Sequence, residues 1–490
     1  MSFINRLFSA SNSVENLTRF IQKNLIELYD FFISQKNSSI LSHRQEIEGF
    51  ILPKYSIYRH LDFTDSKNQT FLFSLLDVSQ RFGLALEFQQ VYDLAQQNNV
   101  PLNSRLNASS KFLVGINSID DYENRIIEIL ADLSISFLKE EDNEQKTIAT
   151  LIHFYTEVFN NFPHNIGRVS EFKNKLLEHL QKEEYNFLLT PSVDEVLSYS
   201  LHNVEELYQA VHSKLDEILE RASQYLAFNI EPHLIEADTH YTELLANISA
   251  NFIEIRNLCA QLYSVVASNE IFWSLQRGVK VLTEQNQLLA YLHSYGKMHH
   301  AKMMSAISPI QQNDLQGVLE VYDWGCGQGL ASICFLEYLY EQKIDYSVNK
   351  FTLIEPSEIA IKRASLHLRK YSADTQIITI NKDLDSLENN DFDSNKPATK
   401  VHLFSNILDI DLFSMNDLIN LIRENFLGQN IFICASPYVS HIKTERVDGF
   451  VQSFSDNPNF EIISDVSQMT GEWTGTHWTR VIRVFKCLIN

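Results

Sequence analysis

Apolar residues recur at helical spacing through most of the first 300 positions, then give way to short β-type runs alternating with helical ones. Between residues 1 and 45, Leu17, Phe20, Ile21, Leu25, Leu28 and Phe32 share one face, which predicts a single amphipathic helix ending in the polar stretch Ser34 to Ser39. From Phe50 to Leu76 the signals mix, and both a small hairpin and more helix satisfy them. Helical pattern returns through Leu84–Ala95, Tyr122–Leu138 and Ile148–Phe159, broken at Pro101, at Glu140–Glu144 and at Pro163 with Gly167. Residues 168 to 277 contain no glycine, and only Pro191 and Pro232 interrupt them. Two apolar seams run through this stretch. Val204, Tyr208, Val211, Leu215, Ile218, Ala222 and Tyr225 form one, and Tyr241, Leu245, Ile248, Phe252, Ile255, Cys259, Leu262 and Val266 the other. The pair predicts a long antiparallel helical hairpin over 200–268, turning near Pro232.

Beyond Gly278 the run Val279 to Ile310 reads as further helix, and the polar stretch Ser308 to Gly317 separates it from a first strand around Val318–Tyr322. Further strands are expected at Phe351–Ile354, Gln376–Ile380, Val401–Phe404, Asn430–Cys434, Phe460–Ser464 and Thr479–Cys487, the last with an edge-compatible alternation. Helical runs lie between the earlier ones, as a doubly wound sheet requires. The chain is therefore expected to be multidomain. An all-α helical domain over 1–285 precedes a Rossmann-like, doubly wound α/β domain with a seven-stranded sheet over 286–490, with the boundary near 285–315.

The first strand of that sheet leads into Val321-Tyr-Asp-Trp-Gly-Cys-Gly-Gln-Gly329, directly before the helical run Leu330 to Glu341. Gly325 and Gly327 permit backbone angles closed to other residues, missing side chains let a ligand approach the main chain, and the helix that follows points free N–H groups at it. A dinucleotide fingerprint would need its third glycine at position 330, which is Leu330. With Asp323 the spacing is D-x-G-x-G-x-G, which resembles motif I of the class I S-adenosylmethionine-dependent methyltransferases. The resemblance covers roughly residues 318 to 487. It implies that the loop Gly325, Gly327, Gly329 wraps the methionine part of S-adenosylmethionine, with Asp323 holding the loop or the ligand's amino group. Glu355, at the end of the second strand, is placed to accept hydrogen bonds from both ribose hydroxyls. Asp383, with Asp385 as second choice, corresponds to the residue that contacts the adenine amino group. Tyr295 and Lys302, on the helix before the motif, could face the ligand.

For the acceptor, the resemblance points to Asn406 after the fourth strand, and Tyr438 in Ala435-Ser-Pro-Tyr438 is a second catalytic candidate that could stack on a planar substrate. The chain lacks the Asp/Asn-Pro-Pro-Tyr/Phe text of adenine- and cytosine-amino methyltransferases, and neither Cys326 nor Cys434 follows a proline as a C5-cytosine enzyme needs. The loop Gly471 to Trp478 holds Trp473, Trp478 and His477, which suit a flat substrate or simple packing. Either the chain methylates an acceptor that its helical domain selects, or it is a cofactor-binding or degenerate module serving as a regulatory contact.

A formal charge of −22 over 490 residues disfavours unspecific attraction to phosphate backbones. It leaves nucleic acid as acceptor only through a local basic face of Lys362, Arg363, Arg369, Lys370 and Lys382. Five widely spaced cysteines without a C-x-x-C pair argue against both a disulfide framework and a metal site, and fit a reducing compartment. No apolar run approaches the ~18 residues of a membrane span, so a cytoplasmic protein is expected.

Overall fold

A computed structural model describes all residues except 1, 36, 139–143, 201–203, 220–226, 276, 277, 279, 345 and 412. The chain divides into two compact units, one of residues 1–221 with 439–445 and one of residues 222–438 with 446–490. The division thus falls at Arg221, well before the expected boundary near 285.

The first unit is helical and has one continuous apolar core. Its opening is several short helices, Phe3–Ala10, Val14–Lys23 and Leu25–Tyr29, in place of the single helix that periodicity predicts. Ser13 and Asn24 mark the breaks: the Ser13 side chain accepts Asn16 N–H and starts the second helix, and Asn24 ends it with its N–H and Nδ2 on the Phe20 carbonyl. The ambiguous stretch up to Leu76 is helical and runs into Ser66–Phe82, capped by Asp65 and closed by Gly83 in the left-handed conformation. A fully buried ion pair, Arg105 with Asp77, crosses this core.

The second unit is built on a seven-stranded sheet of order β3-β2-β1-β4-β5-β7-β6. Its strands are β1 Gly317–Trp324, β2 Tyr346–Ile354, β3 Gln376–Ile380, β4 Thr399–Ser405, β5 Gly428–Ser436, β6 Glu461–Gln468 and β7 Arg480–Ile489. The first five are parallel, and β7 enters antiparallel between β5 and β6. The alternation in β7 therefore marks an inner strand, and β6 is the edge. The near-continuous apolar runs of β1, β4 and β5 follow from helices on both faces.

The hairpin expected over 200–268 does not form. Val204–Ile218 belongs to the first unit, whereas His240–Ala246 and Phe252–Val266 are separate helices of the second; Ala222 and Tyr225 lie outside the described residues. Thr239 and Asn251 cap those two helices and split the second seam. The chain does turn at Pro232–His233, but against the open edge of β3: Thr379 N–H donates to the Pro232 carbonyl at 2.8 Å, and Leu234 N–H to Thr379 Oγ1 at 2.9 Å. Covering a sheet edge satisfies backbone groups that would otherwise be left unpaired.

Candidate functional site

The carboxyl ends of β1 to β4 open into one cleft whose wall includes Gly325, Gly327, Gln328, Glu355, Asp383 and Asn406. A crevice there is what parallel strand order dictates, since each strand hands its chain to a turn on the same side of the sheet.

The glycine loop is positioned from both sides. Cys326 N–H donates to the Ile354 carbonyl at 2.9 Å, fixing the loop to the end of β2. Asp323, buried under it, accepts from Ser332 N–H at 3.2 Å and Ser332 Oγ at 2.7 Å, so it holds the first turn of the helix Leu330–Glu341. Burial pushes its carboxyl up to about 6. Asp323 holds the loop from beneath the cleft wall, and its Oδ1 has no partner. Gly325, Gly327 and Gly329 all have positive φ. They do different work. A Cβ on Gly329 would sit 2.9 Å from Leu368 Cδ1, so that glycine serves the packing of helix on helix; at Gly327 a Cβ would meet nothing within 4 Å, because the space beside it is the cleft.

Glu355 joins the loop to the second turn. Its Oε2 accepts Gly327 N–H and its Oε1 accepts Ser357 N–H, each at 3.0 Å. Burial, and then the charge of Asp323, raises the carboxyl to about 7. Both oxygens retain a lone pair. Asp383 lines the cleft and accepts Ser386 N–H at 2.9 Å, which sets the turn after β3. Asp385 also lines it and accepts Ser414 N–H at 2.8 Å.

Asn406 reaches the cleft in a left-handed conformation, φ 56°, with its N–H on the Ala435 carbonyl at 2.7 Å. Its Oδ1 accepts from Lys302 Nζ and its Nδ2 donates to Ser405 Oγ at 3.1 Å, so the amide is held from both ends and keeps one N–H and one oxygen lone pair. Lys302 is fully buried on the helix Gln285–Ile307. Neither it nor Tyr295 lines the cleft.

Tyr438 lies elsewhere. Its backbone exchanges two hydrogen bonds with Thr479 Oγ1, both 3.0 Å, forming a clasp at the end of β5, and it is absent from the cleft wall. The tryptophan loop closes on itself, with Trp473 Nε1 donating to the Trp478 carbonyl at 2.6 Å and Arg480 4.4 Å over the Trp473 ring. The local basic face is not a free one either. Arg363 is buried against Glu236, Lys362 pairs with Glu358, Lys382 with Asp391 at 2.8 Å, and Arg369 and Lys370 are taken by backbone carbonyls.

Sequence reading missed the far wall, formed by Gly278, Lys280, Leu282 and Tyr291. This segment is tied to the motif by Gln328 Nε2 donating to the Leu288 carbonyl at 2.9 Å and Ser357 Oγ to the Leu282 carbonyl at 2.5 Å. Gly278, at φ 88° after more than a hundred glycine-free residues, was the available signal. Also missed was Arg446, which is buried and donates to the Leu408 and Phe413 carbonyls at 3.1 and 3.0 Å, holding the Ile410–Phe413 side of the cleft.

No protein-family model and no curated protein match the chain. Among solved structures it is similar to a Listeria monocytogenes protein provisionally assigned to the class I S-adenosylmethionine-dependent methyltransferases (12% identity, 75% of this chain and 88% of that one, TM-score 0.31). It is also similar to a Leishmania major S-adenosylmethionine-dependent methyltransferase (12% identity, 46% and 90%, TM-score 0.29). A third is the geranyl diphosphate C-methyltransferase of Streptomyces coelicolor in complex with S-adenosyl-L-homocysteine (12% identity, 52% and 100%, TM-score 0.26). Likenesses of this size carry no argument about this chain's chemistry. The fold stands on its own strands: seven in number, doubly wound, with the D-x-G-x-G-x-G turn after the first and an acid at the end of the second, it is the Rossmann-like fold of the class I methyltransferases.

Proposed function

We propose that this chain is an S-adenosylmethionine-dependent methyltransferase, its sheet unit holding the cofactor and its helical unit selecting the acceptor or partner. The observation that carries the reading is Glu355, whose carboxylate bridges the Gly327 and Ser357 amides on the wall of a cleft that Asp383 and Asn406 share.

The residues present fit that cofactor. Open space beside Gly327 admits a ligand against the main chain. Gln328 is buried on the cleft wall and its Oε1 has no partner. An ammonium group donating there would satisfy an acceptor that is otherwise costly to bury. Glu355 would take the ribose hydroxyls and Asp383 the adenine amino group. S-adenosylmethionine, when bound, supplies a methyl group activated on a sulfonium. The chain's own part is alignment. Asn406, fixed by Lys302 and Ser405, would orient the acceptor through its remaining Nδ2–H or the second lone pair of Oδ1.

Calorimetric titration with S-adenosylhomocysteine, followed by tritiated-methyl transfer to RNA, DNA and protein fractions, tests the proposal. Binding in the micromolar range or tighter, lost in Gly327→Arg, together with transfer to one fraction, is the expected result. Binding without transfer would make the chain a cofactor-binding module. Absence of binding by the unaltered chain would overturn both.

A further inference from the structure

Helices of the helical unit border a partly open pocket of about 290 Å³ that the methyltransferase reading does not use. Arg44 reaches it from Arg44–Ile51, Arg81 and Gly83 from the end of Ser66–Phe82, His153 and Glu157 from Glu144–Asn161, and His212 from Val204–Ile218. Ligand pockets are ordinarily lined mainly by apolar side chains. This wall is mostly polar.

Two of its groups lack what burial demands. His153 is only 6% exposed, yet its Nε2 has no hydrogen-bond partner, and His212 Nδ1 has none either. An unsatisfied buried ring nitrogen is destabilising unless something in the cavity completes it. The His212 ring is fixed edge-on against Tyr208, 4.1 Å between centroids, so its nitrogen is held in place.

The charges facing the space decide the sign of the occupant. Arg81 is buried and donates to the Phe32 and Gln35 carbonyls at 3.3 and 2.7 Å. Arg44 uses its Nε on Glu48 at 2.7 Å. Glu157 is the one carboxyl on the wall; burial raises it to about 7, against the pull of Asn160 and Arg44, so it is partly neutral near pH 7 and can then donate. Burial above all, with His212, Arg81 and Arg105 adding to it, keeps the His153 imidazole neutral, pushed down to about 3. Asp216 acts in the other direction on His212 and Arg81. A cationic ligand would find a single, half-neutral carboxyl already beside a guanidinium. An anion finds Arg44, two ring nitrogens able to donate as N–H, and the protonated form of Glu157.

We propose that this cavity is a binding site for a small oxyanion, a carboxylate or a phosphate, contacted by His153, His212 and Arg44. The site belongs to the helical unit and stands or falls independently of cofactor binding by the sheet.

The full chain, exchanged into chloride buffer of constant ionic strength, is titrated calorimetrically with inorganic phosphate and separately with citrate; the two arms distinguish phosphate from carboxylate. One site per chain with a millimolar or tighter dissociation constant is expected for at least one probe. Arg44→Gln and His153→Gln should each weaken it about ten-fold or more, as loss of a hydrogen bond to a charged group does, while S-adenosylhomocysteine affinity and helical content stay unchanged. If His153→Gln fails to fold, Arg44→Gln decides alone, since its side chain is 40% exposed and tolerates the change. Heat from neither probe, or binding equally tight in the folded variants, overturns the proposal.

Discussion

Glu355 concentrates the chemistry of the cleft in one residue. Its ordinary value of 4.5 is raised to about 7 by burial, so the folded protein without ligand holds a proton that the unfolded chain releases. The sign follows from linkage. Stability from this group is fully present below 4.5, declines as pH rises from there to 7, and is flat above. Hydrogen bonds from ligand hydroxyls favour the carboxylate, so affinity for S-adenosylhomocysteine should strengthen as pH rises towards 7 and then level off. Titrations between pH 5.5 and 8.5 measure this. Glu355→Gln should remove the slope and weaken binding about ten-fold, and a slope that survives in that variant belongs to Asp323 instead, which burial raises to about 6. Two glycines of the same motif separate packing from ligand space in the same way. Gly329→Ala drives a methyl group towards Leu368 and Ala364 and should lower the melting temperature, whereas Gly327→Ala meets no neighbour, should cost only about 1 kcal/mol of backbone strain, and should lose chiefly affinity.

At the scale of elements, the strand ends of the site were readable and the helices behind them were not. Gly325 to Gly329, Glu355, Asp383 and Asn406 each follow an apolar run whose length and composition mark a buried parallel strand, and chain order alone places such residues along one edge. Tyr438 follows a strand too, but its partner is Thr479, directly before the inserted β7, and nothing local announces an antiparallel insertion. The helical hairpin failed because a repeating apolar seam states which residues are buried and not against what. Its second half packs on the sheet. Tyr241 shows how: the Gln328 carbonyl can only accept, so His367 Nδ1 donates to it at 2.9 Å, and Nε2 of the neutral ring must then accept from Tyr241 Oη at 2.7 Å. Burial holds that ring neutral, down to about 3. A helix outside the motif thereby fixes the carbonyl of a residue inside it. Tyr241→Phe leaves the ring nitrogen without a donor, a loss of about 1–3 kcal/mol. Denaturant unfolding should register it, and S-adenosylhomocysteine affinity should fall with it, because Gln328 lines the cleft; unchanged affinity at reduced stability would confine the relay to folding.

For the whole molecule, the five cysteines report how it opens. All five are free and buried. Burial raises each thiol of the sheet unit, Cys259, Cys326, Cys334, Cys434 and Cys487, above its ordinary value. Alkylation needs a thiolate in contact with solvent, so each must wait for an opening that exposes it. Cys434 on β5 and Cys487 on β7 lie on paired inner strands, and exposing them takes unfolding of the sheet. Cys326 sits between Gly325 and Gly327, held by its N–H on Ile354, and a local opening of the loop is enough. Mass-resolved iodoacetamide labelling of the native chain should therefore modify Cys326 first, with Cys434 and Cys487 following only at denaturant concentrations that unfold the sheet. S-adenosylhomocysteine should slow Cys326 selectively, by up to the factor of one plus ligand concentration over dissociation constant that mass action sets. Equal protection of all three would mean that the loop opens only with the whole sheet, and no protection of Cys326 would place the ligand away from the glycine turn.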